Sequence, residues 1–248
     1  MGNCKAVILA AGKGTRLQSE QFQLPKVLRE ANGKPLLYYV LEALGFLPVE
    51  DTVIVAGYQR EKVMARFPDY PYAIQAEQKG TGHAVKCAQS QLADFDGTVL
   101  VCCGDMPLIR RETYEALLKT HRDSGNVCTF LTGTCNQPLP YGRILRDEEG
   151  RFLRVVEDRD CDTPELKAIR ELNAGVYAFD CRELLICLDM LKNENAQGEY
   201  YLTDVPELMG QRGGSVGACC VELNEQIIGV NTLPQLLEVE EYLRKRES

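Results

Sequence analysis

Short, unbroken runs of apolar and β-branched residues alternate, through the first half of the chain, with longer stretches whose apolar positions recur every three or four residues. The runs Ala6 to Leu9, Thr52 to Ala56, Ala73 to Ala76, Thr98 to Cys102 and Val127 to Leu131 have the character of strands covered on both faces. Between them, Pro35 to Leu47, Glu61 to Phe67, Gly82 to Leu92 and Arg111 to His121 read as amphipathic helices. The first of these opens on a proline, at a position where its missing N–H costs nothing. Strand and helix in alternation predict an α/β fold, a mostly parallel sheet with helices on both faces.

After Gly133 the rhythm becomes turn-rich, with Gln137-Pro138-Leu139-Pro140 and Asp147-Glu148-Glu149-Gly150 suggesting hairpins in a lobe inserted on the main sheet. A strand (Glu171 to Phe179), two helices (Arg182 to Lys192 and Tyr201 to Arg212), a strand (Ser215 to Leu223) and a charged terminal helix (Leu233 to Arg246) follow. No internal repeat or low-complexity tract interrupts the 248 residues, and no linker is long enough to separate independent domains, so one domain is expected.

Composition removes several classes of function. Lys and Arg total 28 against 36 Asp and Glu, a formal net charge of -8, which disfavours a broad attraction to nucleic acid. Eleven cysteines would suggest disulfides in a small secreted chain. Their odd number, the adjacent pairs Cys102-Cys103 and Cys219-Cys220, and the lack of a signal peptide point instead to reduced thiols in a cytoplasmic protein. With two histidines and no C-x-x-C pair, a structural zinc site has little support. No apolar run approaches the ~20 residues that cross a bilayer. The opening Met1-Gly2-Asn3-Cys4-Lys5-Ala6 lacks the Ser or Thr of a myristoylation signal, so no membrane partner is expected.

Candidate chemistry gathers in loops that follow strands. The strand ending at Leu9 runs into Ala10-Ala11-Gly12-Lys13-Gly14-Thr15-Arg16, a small-residue turn whose backbone N–H groups can approach an anion closely. It is neither a Walker A loop nor a dinucleotide fingerprint. Arg16, and Lys26 beyond it, could stabilise a polyphosphate at the carboxyl end of a strand, or simply be solvated charges on a tight turn. The amide of Gln75 suits the edge of a uracil, although a rotatable amide would also serve cytosine, and Gly80 lets backbone lie against a base or ribose. Asp105 follows the apolar strand ending at Cys102, a good place for a hard oxygen ligand to magnesium. His83 is read as structural.

Taken in order, the segments Leu9 to Arg16, Pro25-Lys26-Val27-Leu28, Gly33-Lys34-Pro35-Leu36, Gln75 to Ala84, Gly104-Asp105-Met106-Pro107-Leu108, Tyr141-Gly142-Arg143-Ile144, Val156-Glu157-Asp158, Leu172-Asn173-Ala174-Gly175, Asn195 to Asp204 and Gly229-Val230-Asn231 resemble the signature of sugar-1-phosphate nucleotidyltransferases. Within that family the pattern most resembles the N-terminal pyrophosphorylase domain of the bacterial bifunctional enzymes that make UDP-N-acetylglucosamine. The resemblance implies a Rossmann-like fold of the nucleotide-diphospho-sugar transferase type, with a nucleotide-binding half (about 1–135), a sugar-phosphate lobe with return strands (136–231) and a C-terminal helix (232–248).

It also implies roles for individual residues. Arg16 and Lys26 would be catalytic, and Leu9, Ala10, Ala11, Gly12, Gly14, Thr15, Gln75, Gly80 and Thr81 would bind the nucleotide. Gly142, Glu157, Asn173, Tyr201 and Thr203 would bind the sugar phosphate, and Asp105 with Asn231 would hold Mg²⁺. The substrates implied are a nucleoside triphosphate and a sugar 1-phosphate, which react by attack of an already ionised phosphate on the α-phosphorus and need no general base.

Three departures bear on the sugar: Cys103 where relatives often carry tyrosine, Ala174 in place of threonine, and Asn231-Thr232-Leu233 in place of Asn-Asn-Arg. No hexapeptide repeat of an acetyltransferase β-helix follows, so uridylyl transfer alone is expected. Another sugar or polyol phosphate, CTP, or a catalytically silent module on the same fold stay open as alternatives.

Overall fold

In the computed structural model, which describes residues 3–14, 17, 24–134, 139–221 and 224–247, side chains of the first strand divide strictly by parity. Along β1 (Cys4–Ala10), Ala6, Ile8 and Ala10 enter one apolar layer while Val7 enters the opposite one. A strand buried on both faces must sit mid-sheet, and β1 does.

The chain continues through a small hairpin, β2 (Glu30–Ala31) and β3 (Lys34–Pro35), to α1 (Leu36–Ala43), then β4 (Thr52–Ala56), α2 (Arg60–Arg66), β5 (Tyr72–Ile74), α3 (Thr81–Cys87), α4 (Gln89–Leu92), β6 (Thr98–Cys103), α5 (Arg111–Ser124) and β7 (Cys128–Thr134). An antiparallel hairpin of β8 (Arg143–Arg146) and β9 (Phe152–Val156) and the short α6 (Pro164–Ala168) precede β10 (Glu171–Asp180). After it come α7 (Cys181–Met190), α8 (Val205–Gln211), β11 (Val216–Cys220) and α9 (Leu233–Glu247).

The main sheet runs β11-β7-β10-β6-β1-β4-β5, with β8 and β9 extending from β10. The pairs β1–β4, β1–β6, β4–β5 and β11–β7 are parallel, and β10 alone on this path runs against both its neighbours, β6 and β7. Helices α1, α2 and α5 cover one face through Leu37, Val40, Val63, Tyr114 and Leu117, and α3, α7 and α8 cover the other through Val85, Leu184, Leu188 and Met209. The sheet is thus mostly parallel with helices on both faces, as expected, and is made mixed by the antiparallel β10.

Boundaries differ from expectation where local chemistry overrides periodicity. The helix predicted from Pro35 ends at Ala43, and Pro35 sits outside it, capping the start and pairing with Glu30. The single helix predicted over Tyr201 to Arg212 is a 3-10 turn at Leu202–Asp204 followed by α8, whose early Pro206 has no N–H to continue the first turn. The segment Gly82 to Leu92 breaks at Ala88 into α3 and α4. Asp147 to Gly150 is the expected turn: the Asp147 carboxylate accepts from Glu149 N and Arg151 N, and Gly150 takes φ of 80°. Gln137 and Pro138 lie outside the described residues. Ten described cysteines are free thiols, and no described helix is long and apolar enough to cross a membrane.

Candidate active site

Because β1, β5 and β6 are parallel, the loops leaving their carboxyl ends gather on one edge of the sheet, the usual ligand position in open α/β sheets. Antiparallel β10 starts at that same edge: Tyr177 stands opposite Val101, which brings Gly175 beside Cys103. Two chambers open there. One, of about 240 Å³, is walled by Leu9 to Gly12, Lys26, Gln75, Gly80 and Thr81. The other, of about 170 Å³, is walled by Tyr141, Gly142, Glu157, Asn173, Tyr177 and Thr203. Leu9, Thr81, Cys103 and Asp105 line both, so the chambers form one cleft that narrows at Asp105. A cavity of about 250 Å³ beside Cys4, Thr98 and Arg122 is similar in size but lies at the amino ends of β1 and β6. Position rather than volume therefore distinguishes the cleft.

At the narrowing, three residues distant in sequence meet. Lys26 opens a 3-10 turn anchored by buried Val27 and Leu28. Its Nζ donates to Asn231 Oδ1 at 2.7 Å and pairs with the Asp105 carboxylate. The Lys26 and Asp105 side chains are only 14% and 17% exposed, so the pair is poorly screened. Asn231 is held in place: its Nδ2 donates to Gly229 O, its backbone N donates to Gln235 Oε1, and the neighbouring Val230 N donates to Asp105 O at 3.0 Å. A carboxylate and an amide oxygen converging on one cation are hard donors of the kind magnesium takes. The remaining ligands of such an ion come from phosphates and water, so the donor set fits Mg²⁺.

On the first chamber's wall, Gly80 adopts φ of 103°, and a Cβ there would lie 2.5 Å from Tyr200 O. Only glycine fits so close a backbone approach. The Gly80 carbonyl accepts from Gln75 Nε2, and Thr81 Oγ1 accepts from Leu202 N, which ties this wall to the segment before α8. Gly14, with φ of 68°, closes a turn onto Leu17 N and is not among the lining residues. Thr15 and Arg16 lie outside the described residues.

In the second chamber, Thr203 Oγ1 donates to Glu157 Oε1 at 2.9 Å, and burial pushes the Glu157 carboxyl up against that bond. Asn173 Oδ1 accepts from Gly175 N and its Nδ2 donates to Tyr177 Oη, so one N–H and one lone pair remain for a ligand. A Cβ on Gly142 would meet Val155 at 2.6 Å. Tyr201 is set apart: its ring is buried, its hydroxyl accepts from Gln197 Nε2, and it is not among the lining residues. Of three further lining residues, only Cys103 had been singled out in the sequence, as a departure bearing on the sugar. Tyr141 accepts from Gly229 N, with its phenol pushed up to about 12 by burial, Tyr177 fixes Asn173, and the thiol of Cys103 is raised well above its ordinary value by burial. Alternation along β10 was the available signal for Tyr177, four residues after Asn173.

Asp204, just beyond this wall, has its carboxyl raised to about 6, first by burial and then by Glu207, Glu157 and Asp160. The folded pKa exceeds the unfolded one, so this group favours the fold below pH 4 and loses that contribution as pH rises through 6. Its side chain makes no capping bond to α8. Asp204→Asn is therefore expected to stabilise the protein at pH 8 by about 1 kcal/mol, less than the full shift implies because solvent screens this partly exposed carboxylate. Denaturant melts should show this gain vanishing near pH 4, and an equal gain at both pH values would contradict it.

Comparison with known proteins agrees with this fold. The family model of the MobA-like NTP transferase domain matches residues 6–168. The chain belongs to that family. This NTP transferase is 46% identical over 242 residues to a bifunctional protein GlmU of Heliobacterium modesticaldum, covering 97% of this chain and 52% of that protein. It is 47% identical over 243 residues to the bifunctional protein GlmU of Clostridium novyi, covering 97% and 52%. The chain thus spans about half the length of the curated relatives it matches. In fold, it is similar to a Bacillus anthracis protein described as a glucose-1-phosphate thymidylyltransferase, crystallised with sucrose, at a TM-score of 0.75 and 17% identity over 97% of this chain and 95% of that one.

Proposed function

We propose that the chain catalyses the reaction of UTP with N-acetylglucosamine 1-phosphate to give UDP-N-acetylglucosamine and pyrophosphate, in the cytoplasm. The observation that carries the reading is the meeting of Lys26, Asp105 and Asn231 where the two chambers join. A triphosphate in the first chamber and a sugar phosphate in the second would bring their reacting ends to this point. Residues 1–135 then serve mainly the nucleotide and residues 136–231 the sugar phosphate.

A phosphate monoester has its second pKa near about 6, so the attacking oxygen is already ionised at neutral pH. It forms a bond to the α-phosphorus, the bond from that phosphorus to the bridging oxygen breaks, and pyrophosphate leaves with the electron pair. No proton need be removed. The difficulty is bringing two polyanions together, and Lys26 fixes a positive charge where they meet. Asp105 and Asn231 would hold Mg²⁺, which supplies Lewis-acid stabilisation of charge on the phosphoryl oxygens. Glu157, Thr203 and Asn173 offer acceptors and a donor suited to sugar hydroxyls and an acetamido group.

A second sugar phosphate is favoured by one observation. Cys103 and Ala174, two of the departures from the family pattern, both line the second chamber. The test is pyrophosphate release by the purified chain with Mg²⁺, pairing UTP and CTP each with N-acetylglucosamine 1-phosphate, glucose 1-phosphate and a polyol phosphate. Turnover is expected with UTP and N-acetylglucosamine 1-phosphate. Turnover confined to another pair would replace the substrate, and none from folded protein would leave a silent module.

A further inference from the structure

Gln75 is 3% exposed in the wall of the nucleotide-side chamber, and both hydrogens of its amide are engaged inside the protein. Nε2 donates to the Gly80 carbonyl at 3.0 Å and lies 3.1 Å from His83 Nδ1. Rotating the amide would press Oε1 against the Gly80 carbonyl oxygen, two acceptors in contact, so the hydrogen-bond network fixes its orientation. The second N–H is accepted only if His83 Nδ1 carries no proton, which places the ring proton on Nε2, 4.0 Å from Cys87 Sγ. Oε1 receives no hydrogen bond from any described residue and is the part of the amide left for a ligand.

We propose that His83 is a positioning residue: it locks Gln75 with its carbonyl oxygen toward the base, so that the site selects the N–H flanked by two carbonyls of uracil or thymine and disfavours cytosine. The inference rests on the nucleotide reading of this chamber. Position 3 of cytosine is an acceptor, and two acceptors face to face lose the bond and gain repulsion. A freely rotating glutamine would serve either base, and the imidazole removes that freedom.

The surroundings of the ring keep it in the required state. Burial is the largest influence holding the His83 pKa below the ordinary histidine value, followed by Lys79, with Lys86 adding to it, while the Glu77 carboxylate and a hydrogen bond from the ring to the Glu77 backbone oppose it. Lys79 is paired with Glu77 at 2.7 Å and Lys86 with Asp189 of α7 at 2.8 Å. Tyr200 and Cys87 complete the pocket around the ring. The neutral ring, able to accept at Nδ1, is therefore the form present at neutral pH.

The experiment measures binding of UTP, CTP and N3-methyl-UTP to the wild-type chain, His83→Ala and His83→Asn by calorimetry with Mg²⁺, with circular dichroism to establish folding. The wild type should prefer UTP to CTP and bind N3-methyl-UTP at least about tenfold more weakly than UTP, the loss of one well-made hydrogen bond. His83→Ala should shrink the UTP/CTP preference about tenfold, and His83→Asn, whose amide oxygen can accept where Nδ1 did, should restore most of it. A preference unchanged in His83→Ala, or equal weakening of both nucleotides, overturns the proposal while the nucleotide site stands. A wild type that prefers CTP overturns the assigned orientation of Gln75, and one that binds neither nucleotide overturns the nucleotide site itself. The wild type also supplies a readout free of mutation. Its UTP preference should fall as pH is lowered and Nδ1 is protonated, and a preference that stays flat until the protein unfolds overturns the proposal.

Discussion

Asp105→Ala is expected to lower kcat for pyrophosphate release by about 10³-fold while the chain stays folded, because this one carboxylate has two duties at the narrowing of the cleft. In the proposed reaction it would be an oxygen donor for Mg²⁺, and it anchors the ammonium of Lys26. Neutral Asp105→Asn keeps the shape and loses the charge, so it should fall almost as far. Lys26→Met should cost about 10²-fold, since a positive charge fixed between two polyanions is lost. The double variant Lys26→Met/Asp105→Ala should be little worse than Asp105→Ala alone, because residues that act as a unit are strongly non-additive. Steady-state kinetics across a magnesium titration decides the matter. Asp105→Ala with activity within tenfold of wild type would remove the carboxylate from the reaction.

The second large effect comes from a position without a side chain. Gly80→Ala would carry φ of 103° on an L-residue and place its Cβ 2.5 Å from Tyr200 O and 2.8 Å from Tyr200 N. Both obstacles are backbone, held by Tyr200 N donating to Lys79 O and Gly82 N donating to Tyr200 O, so neither can swing aside. Strain and clash together should cost about 3 kcal/mol of stability. The Gly80 carbonyl is also what Gln75 donates to, so nucleotide binding should weaken by at least about 30-fold. Gly210→Ala is the matched control: it lies in α8, a Cβ there meets nothing within 4 Å, and it should be neutral or stabilising by about 0.5–1 kcal/mol. Thermal melts that lower both variants equally would show that substitution of any glycine, and not this backbone approach, is what the protein resists.

What the sequence revealed and what it hid divide along physical lines. Buried strands such as β4, expected and found at Thr52–Ala56, were legible because burial on both faces demands an unbroken apolar run. Strand ends were less so: β5 stops at Ile74, yet Gln75 N still donates to Ala56 O, a ladder bond that no propensity announces. The reversed direction of β10 within a parallel sheet was invisible, because periodicity carries no sense of direction. In the cleft, Asp105 could be anticipated from its place after a buried strand. The contact of Lys26 with Asn231, 205 positions apart, could be suggested only by resemblance to a family. Tyr201 shows the opposite hazard, since a position inside a matching motif can be occupied by a side chain whose hydroxyl is engaged elsewhere. The state of Gln75 depends on a carbonyl and an imidazole brought in by a turn, and its rotational freedom is lost only in three dimensions.

Strand β10 also governs the order in which the molecule can be assembled. It lies between β6 and β7, so those strands have no direct ladder and cannot join until residues 171–180 are inserted between them. During synthesis, the edges of β6 and β7 stay open until that segment has emerged from the ribosome, long after both strands were made. Open apolar edges invite pairing with other chains. A stop or a severe lesion near residue 170 would therefore leave no small folded enzyme behind, only the four-stranded piece β6-β1-β4-β5, the β8–β9 hairpin and an unpaired β7, a substrate for chaperones and proteases.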